Sequence, residues 1–247
     1  MKRILLILAF CVTLIGTFLA YMPLAFALDQ AGARQAGLSW LQAEGNIFSA
    51  RLSGVSVQSQ SIGTVEARLR PQALLTGKLG YTLTWTGRAS QGNALISLGF
   101  GGAALSNMQG VVQLEHIRGL ASEVRNIRAR VNMQDVAINP LGGACKTASG
   151  QVTSDVLERL VVDYGLASTP LRGTIDCDNE TLNLIMNGSL DNQYGINVIL
   201  QYQADRLDVN MTIASRDDVL GAFLTPLGFE ATQGGYRYRQ SIDLAGG

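Results

Sequence analysis

The chain has 247 residues and a formal net charge of zero, with 47% hydrophobic and only 15% charged residues. Proteins that bind nucleic acid usually carry a basic footprint, so this balance argues against a nucleic-acid partner. Glycine is frequent, with 28 residues, and proline is rare, with 5. This composition is typical of short strands joined by tight turns. We therefore expect an all-β protein with little helix.

The N-terminus carries the strongest local signal. Lys2 and Arg3 precede residues 4–28, a run of 25 residues without a charge that ends at Asp29. About 20 apolar residues span a bilayer, and basic residues tend to stay on the cytoplasmic side. The pattern predicts that residues 1–28 are a single-pass anchor in the cell inner membrane. The N-terminus would be cytoplasmic, and residues 29–247 would form a β-rich domain in the periplasm.

A cleaved signal peptide is the alternative for this segment. Ala25, Phe26 and Ala27 form an A-x-A pattern, and Pro23 could end a helix just before it. Signal peptides usually have an apolar region of about 7–15 residues, and the run here is longer. Both interpretations export residues 29–247.

Apolar and polar residues alternate repeatedly in the exported part, for example in residues 79–86, 127–134, 196–202 and 207–213. Alternation of this kind predicts strands with one face on a core and the other toward water. Short polar segments at residues 176–180, 187–188 and 203–206 predict turns between strands. We expect an antiparallel meander in a curved or twisted sheet, either continuous or in two subdomains divided near residues 116–126.

One or two short helices are also expected. Residues 215–218 form a capping box, with a hydroxyl followed three residues later by a carboxylate, and an apolar stripe extends from there to Leu227. Residues 155–164 place Val156, Leu157 and Leu160 on one side of a helix. The same residues could equally end a strand.

Cys145 and Cys177 are the two cysteines beyond the N-terminal segment. Exported cysteine pairs meet an oxidising compartment, which favours a disulfide. Two free thiols remain an alternative. A zinc site is disfavoured, because two thiolates do not complete a tetrahedral shell and the single histidine has no motif spacing to either.

No pattern in the sequence indicates catalysis. His116 is the only histidine, and the G-x-S-x-G pattern of a nucleophile elbow is absent. Asp176, Asp178 and Glu180 alternate as in a calcium loop but lack its spacing, so a solvated hairpin turn is the simpler interpretation. We expect no catalytic residue, no metal and no cofactor.

Basic residues cluster at one place, where Arg125, Arg128 and Arg130 follow Arg118. Arg128 and Arg130 would share the outer face of a strand. Such a face can simply be solvated and discourage edge-to-edge pairing. Contact with a partner protein or with anionic lipid headgroups is the functional alternative.

Several segments resemble the type II secretion system protein N family. Residues 45–52 are similar to the family pattern G-x-x-W-x-G-x-L, with Phe48 for the usual Trp and Ala50 for the usual Gly. The other similar segments are residues 69–79, residues 145–150, residues 170–173 with Cys177, residues 227–229 and residues 235–238. This resemblance covers most of the chain.

The resemblance implies a bitopic inner-membrane protein that helps the general secretion pathway export folded proteins. It implies other inner-membrane or periplasmic secretion components as partners, and it implies no catalytic residue. The residues themselves leave a second function open. Strands with one apolar face can curl into a trough that shields lipid acyl chains.

Retention of the N-terminal anchor predicts a mature protein that starts at or near Met1 and resists alkaline extraction from membranes. N-terminal sequencing and carbonate extraction check this directly. A mature N-terminus at Leu28 would refute it.

Overall fold

The computed structural model describes residues 10, 17, 24–30, 33–34, 37–57, 60–99, 102–117, 126–140, 144–161, 167–190, 193–203, 206–215, 221–222, 224–225 and 228–243. Most of the predicted membrane segment lies outside these residues. Within the described residues, no helix combines the length and the apolar character needed to cross a membrane.

Strands dominate the described part of the chain. They are β1 (Leu38–Ser39), β2 (Gln42–Gly45), β3 (Ser49–Val57), β4 (Gln60–Leu69), β5 (Leu79–Thr86), β6 (Ser90–Gly99), β7 (Gly102–Gln113), β8 (Arg130–Asn139), β9 (Thr147–Ser154), β10 (Leu171–Asp178), β11 (Thr181–Leu190), β12 (Tyr194–Gln203), β13 (Arg206–Ala214), β14 (Glu230–Thr232) and β15 (Gly235–Asp243).

The helices in the described residues are short. They are α1 (Leu24–Gln30), α2 (Pro71–Leu74), α3 (Val156–Val161) and a 3₁₀ helix (Leu114–His116). Residues 221–222 and 224 are also helical.

The strands form one antiparallel sheet in the order β1-β3-β4-β5-β6-β7-β8-β9-β10-β11-β12-β13-β15-β14, with β2 also on β3. From β3 to β13 each strand pairs with the next along the chain, which confirms the predicted all-β meander. The sheet continues through the β7–β8 pairing, across the position where we expect a division into subdomains. Separate folding of two halves stays a prediction.

Cross-strand register places apolar residues on one face of the whole sheet. A single row of directly paired positions runs from β2 through β13 to β15, with one position from each of these strands and none from β14. Its members are Ala43, Leu52, Val65, Trp85, Gly92, Gly110, Met133, Val152, Gly173, Met186, Val198, Met211 and Tyr238. Because neighbours on one face interact side by side, this row is a continuous apolar band.

The opposite face is polar in the neighbouring row. Its paired positions are Thr64, Thr86, Gln91, Val111, Asn132, Thr153, Arg172, Asn187, Asn197, Thr212, Arg237 and Glu230. Only Val111 in that row is apolar. The sheet therefore has one apolar face and one polar face along its full width.

Two bulges keep the faces in phase where the sequence breaks the alternation. The register shifts between Leu105 and Met108 on β7, and between Gln134 and Ala137 on β8. Asn107 and Asp135 have positive φ angles of 49° and 51° at these places. A bulge inserts one extra residue, so apolar residues three apart, such as Met133 and Val136, face the same side.

The molecule exposes more surface than a compact globule of its size. Its accessible area is 15769 Å² at 26.4 kDa, whereas a compact monomer of that mass exposes about 10,600 Å². Many apolar-face side chains are only half-buried, for example Tyr81, Leu83 and Trp85 on β5. A single layer explains the half-buried side chains, because no second sheet covers this face in the described residues.

Two apolar clusters bury the ends of the apolar face. The larger one combines β9 to β15 with Leu157 of α3 and with Leu224, and its most buried members include Val152 and Leu171. The smaller one joins Leu24 of α1 to Leu52 and Val55 of β3. Helical segments therefore cover the sheet at both ends of its strand order.

The helix α1 packs on the sheet near β3. Leu24, which we place in the membrane segment from sequence, is only 7% exposed and packs against Leu52 and Val55. Leu28 is partly buried against the same cluster. Leu24 and Leu28 therefore pack on the sheet, whereas Phe26 on the same helix is 50% exposed.

Other local predictions have mixed outcomes. Strand β5 has the predicted bounds, and α3 shows that residues 156–161 are helical after β9 ends at Ser154. The predicted turn at Asn187 and Gly188 is wrong, because both residues pair inside β11 with Asn197 and Ile196. Most of the predicted helix after Ser215 lies outside the described residues.

The position of the Trp85 ring requires glycine at the next two positions of its row, Gly92 and Gly110. A Cβ at Gly92 would lie 2.5 Å from Cζ2 of Trp85 and would also meet the carbonyl oxygen of Gln109, and a Cβ at Gly110 would lie 3.1 Å from the same ring atom. The indole therefore lies across two strands on the apolar face.

We predict that Gly92→Ala lowers the free energy of unfolding by about 1–3 kcal/mol, the usual penalty for overpacking. Gly195→Ala is the matched control, because a Cβ there meets nothing within 4 Å. It should leave stability unchanged or raise it slightly, since alanine loses less backbone entropy in a strand. Urea unfolding followed by tryptophan fluorescence measures both, and equal stability of the two variants would contradict the packing described.

Candidate functional site

The middle of the apolar face is the first candidate surface. Among the described residues, neither buried cluster includes a side chain from β5, β6 or β7. Leu79 and Leu98 pair directly at one end of these strands and are 46% and 41% exposed. We call the apolar face of β5 to β7 the central trough. Burial raises the pKa of the Tyr81 phenol there, as expected for a group surrounded by apolar neighbours.

The free edge of β15 is a second candidate surface. β13 pairs with β15 along its length, but β14 reaches only Gly235 to Arg237 on the other side. In the described part of the chain, no strand pairs with residues 238–243 on that side. An unpaired edge presents backbone N–H and C=O groups that an added strand can bind.

A polar cluster fixes the position of this edge. The Ser241 hydroxyl donates to Oδ1 of Asp208 at 2.6 Å, and Arg206 Nε donates to the same oxygen at 3.0 Å. Two hydrogen bonds hold the pKa of Asp208 below its usual value. The one from Ser241 has the larger effect and the one from Arg206 the smaller. The cluster joins β13 to β15 beside the open edge.

A shallow depression of about 580 Å³ lies on the polar face. Asn187, Asn197, Thr212 and Arg237 line it together with the turn between β14 and β15. The Asn197 amide donates to Oδ1 of Asn187 at 2.9 Å. Its lining mixes these polar side chains with Ile196, Ile213 and Tyr236, so it indicates no particular ligand.

The predicted arginine face forms only in part. Arg128 precedes β8, has a φ of 53° and is not in a strand, so it does not share a strand face with Arg130. Its Nε lies 3.6 Å from Glu115 Oε2, and its side chain is 80% exposed. The backbone N–H of Arg130 donates to Asp155 at the start of β8. Arg125 lies outside the described residues.

The two cysteines meet as the sequence predicts. Cys177 ends the apolar side of β10, and Cys145 lies in the segment before β9, where its backbone N–H donates to the Glu180 carbonyl at 3.2 Å. Their Cα atoms are 5.8 Å apart and the sulfurs are joined. This geometry fits the predicted disulfide.

The acidic residues and the histidine noted in the sequence lie on an exposed strand side, in a turn and in a 3₁₀ helix. Asp176 and Asp178 are on the exposed side of β10, and the turn proper is Asn179 and Glu180, both with positive φ. His116 is in the 3₁₀ helix, 3.5 Å from Glu115. Among the described residues, no group of three or more His, Cys, Asp or Glu side chains is arranged to hold a metal ion.

A family comparison identifies the chain. The family model for type II secretion system (T2SS), protein N, matches residues 36–239. The chain belongs to the type II secretion system protein N family. The family resemblance seen in the sequence is therefore confirmed. No curated protein and no solved structure matches the chain.

The family match covers every surface described above except the last residues of β15. It includes both cysteines and the whole of the central trough. As a member of this family, the chain is a component of the type II secretion system. Sequence reasoning missed the free edge of β15, because pairing partners far apart in the chain carry no local signal.

We predict that exported protein shows a mobility difference between reduced and oxidised forms, which Cys145→Ser abolishes. Loss of the bond should lower stability by about 3–4 kcal/mol, the chain-entropy estimate for a loop of this length. Non-reducing electrophoresis and urea unfolding check both statements. Unchanged mobility, with both thiols open to alkylation, would refute the disulfide.

Proposed function

We propose that the protein is an accessory, non-catalytic component of the type II secretion system. In this role it supports the assembly of the envelope machinery that exports folded proteins. The match to the protein N family supports a role in the type II secretion system. The candidate surfaces among the described residues are suited to binding other molecules rather than to catalysis. The observation that carries the proposal is the long unpaired stretch of β15, residues 238–243, whereas the described opposite end of the sheet is formed by the short strands β1 and β2.

Anchoring at the cell inner membrane is part of the proposal. Residues 1–28 would hold the protein there, with the N-terminus in the cytoplasm and the sheet in the periplasm. The packing of Leu24 supports a retained segment, because cleavage after Ala27 would remove a buried side chain from the smaller cluster. The membrane span itself would then end before Leu24.

The partners would be other inner-membrane or periplasmic secretion components. An extended segment of a partner can add to β15 by backbone hydrogen bonds, with specificity set by alternate side chains. Arg239 and Gln240 are exposed on this strand. Arg128 offers a second contact, because its side chain is mostly exposed. Arg130, and Arg125 in the preceding segment, would extend that contact.

A lipid-binding or lipid-transfer trough is the second candidate function. The central trough favours it, because its side chains such as Leu83 are only half-buried and Leu79 and Leu98 at its end are exposed, and exposed apolar patches mark binding sites. Acyl chains would lie along β5 to β7 and replace the missing second layer. Lipid bound in stoichiometric amounts to the purified protein, and lost in a Leu83→Asp variant, would favour this function over assembly.

The assembly function predicts site-specific crosslinks in cells. A photo-crosslinking residue at Arg239 or Gln240 should capture another secretion component. The same residue at Arg172, which is exposed on the polar face of an internal strand, should capture far less. Mass spectrometry identifies the partner, and secretion of a folded substrate measures activity.

Two results together would contradict the proposal. The first is equal crosslinking from the edge and from Arg172. The second is normal secretion when residues 238–243 carry a strand-breaking proline.

A further inference from the structure

Exposed apolar side chains gather at one end of the sheet. Eight large apolar side chains are exposed in the described residues, and five of these lie in or next to the same ends of the neighbouring strands β3 to β6. They are Phe48 at 43%, Leu74 at 47%, Leu75 at 89%, Leu79 at 46% and Leu98 at 41%. We call these five residues the apolar rim.

Backbone contacts place the rim residues side by side. The Leu69 N–H donates to the Phe48 carbonyl at 2.8 Å, which joins the β2–β3 turn to the end of β4. The Arg70 N–H donates to the Gly80 carbonyl at 2.7 Å, which joins the β4–β5 connection to β5. Leu79 pairs with Leu98 on β6. The rim therefore spans β3 to β6 at one end of the central trough.

The β4–β5 connection projects from this end. Helix α2 packs against β5, since a Cβ at Gly80 would meet the Ala73 Cβ at 2.6 Å. The chain beyond the helix reaches open space, because a Cβ at Gly77 would meet nothing within 4 Å. Leu75 lies on this projecting part. A large apolar side chain at the tip of a short turn has no packing role within the described residues.

The charges around the rim are mainly basic. Arg51, Arg68, Arg70 and Lys78 surround it, against the carboxylates of Glu44 and Glu66. Arg51 already donates to Glu66, with Nε to Oε1 at 3.0 Å. Arg70 and Lys78 flank the tip on its two sides and are exposed. Exposed apolar side chains that are flanked by cations are suited to bind a bilayer surface with anionic headgroups.

A protein partner fits these features less well. Lysine is depleted in protein interfaces, and protein interface cores are well packed. Here the apolar side chains come from the β2–β3 turn, the β4–β5 connection and the paired ends of β5 and β6, and a lysine lies next to them. Asp178 and Glu180 lie at the same end of the sheet but on β10 and its turn, four strands beyond β6, about 19 Å along the sheet. Because these carboxylates lie away from the rim, we expect an anionic surface to contact the rim and not this part of the sheet.

We propose that the apolar rim docks on the surface of an anionic lipid bilayer. Leu75 and its neighbours would enter the boundary between headgroups and acyl chains, and Arg70 and Lys78 would contact lipid phosphates. The docked rim would open the central trough toward the membrane. This inference goes beyond the proposed secretion function and does not rest on it.

Depth-dependent quenching of a probe on the rim tests the proposal. The full chain would carry Cys11→Ser and Leu75→Cys, with the Cys145–Cys177 bond kept oxidised and a polarity-sensitive fluorophore on the new thiol. It would be reconstituted into vesicles of phosphatidylcholine, with or without phosphatidylglycerol, that contain lipids brominated in the acyl chain. Protein-free vesicles of the same composition would be added, so that the rim can reach either membrane.

Leu41→Cys is the matched control. Leu41 is also 89% exposed, and it lies against Gly54, away from the rim. We expect strong quenching of the probe at position 75 in vesicles with phosphatidylglycerol and little quenching at position 41. Lys78→Gln should weaken the apparent affinity of this quenching about fivefold, the effect of removing one cation near an anionic surface.

Three results would overturn the proposal. The probe at position 75 could stay unquenched in anionic vesicles, or it could be quenched no more than the probe at position 41. It could also become shielded from water without quenching by brominated lipid, as contact with a protein or a second copy would produce. None of these results would alter the crosslinks expected from β15, so the two proposals fail separately.

Discussion

Cross-strand register is the constraint on which the rest of this structure depends. One paired row carries apolar residues or glycine from Ala43 on β2 to Tyr238 on β15. A slip of one residue in any strand would move its apolar set to the polar face. The bulges at Asn107 and Asp135 show how strictly the faces are kept, since each absorbs one residue and restores the phase. Two distinct faces follow from this register.

The two faces have different consequences for stability and for function. The apolar face is buried well only at its ends, where α1 and α3 with the segment at Leu224 pack on it. Over β5 to β7, side chains such as Leu83 belong to neither buried cluster and stay half-buried. The same lack of a second layer that limits burial also leaves a surface for a ligand or a membrane. The disulfide joins Cys177, near the end of β10, to Cys145 in the segment before β9.

The sequence predicts the strands well because period-two alternation is a local property. Residues 79–86 form β5 as predicted, and the alternation at residues 207–213 lies within β13. The turn predicted at Gly188 fails because a strand tolerates Asn and Gly, and the pairing of Gly188 with Ile196 decides the outcome. Arg128 fails as a strand residue because its φ is positive, which alternation in the sequence does not reveal. The free edge and the rim depend on contacts between distant segments, so sequence alone does not locate them.

The most direct test of the central claim compares three spin-labelled positions in the full chain. Leu83 lies in the central trough, Thr84 on the polar face, and Val198 in the larger cluster, where it is 4% exposed. An open single layer predicts that the label at Thr84 collides with a water-soluble nickel chelate. It also predicts that the label at Leu83 collides with either the chelate or molecular oxygen, and that the label at Val198 collides with neither. A label at Leu83 as shielded from both as the label at Val198 would show that the apolar face is covered, and would contradict the account.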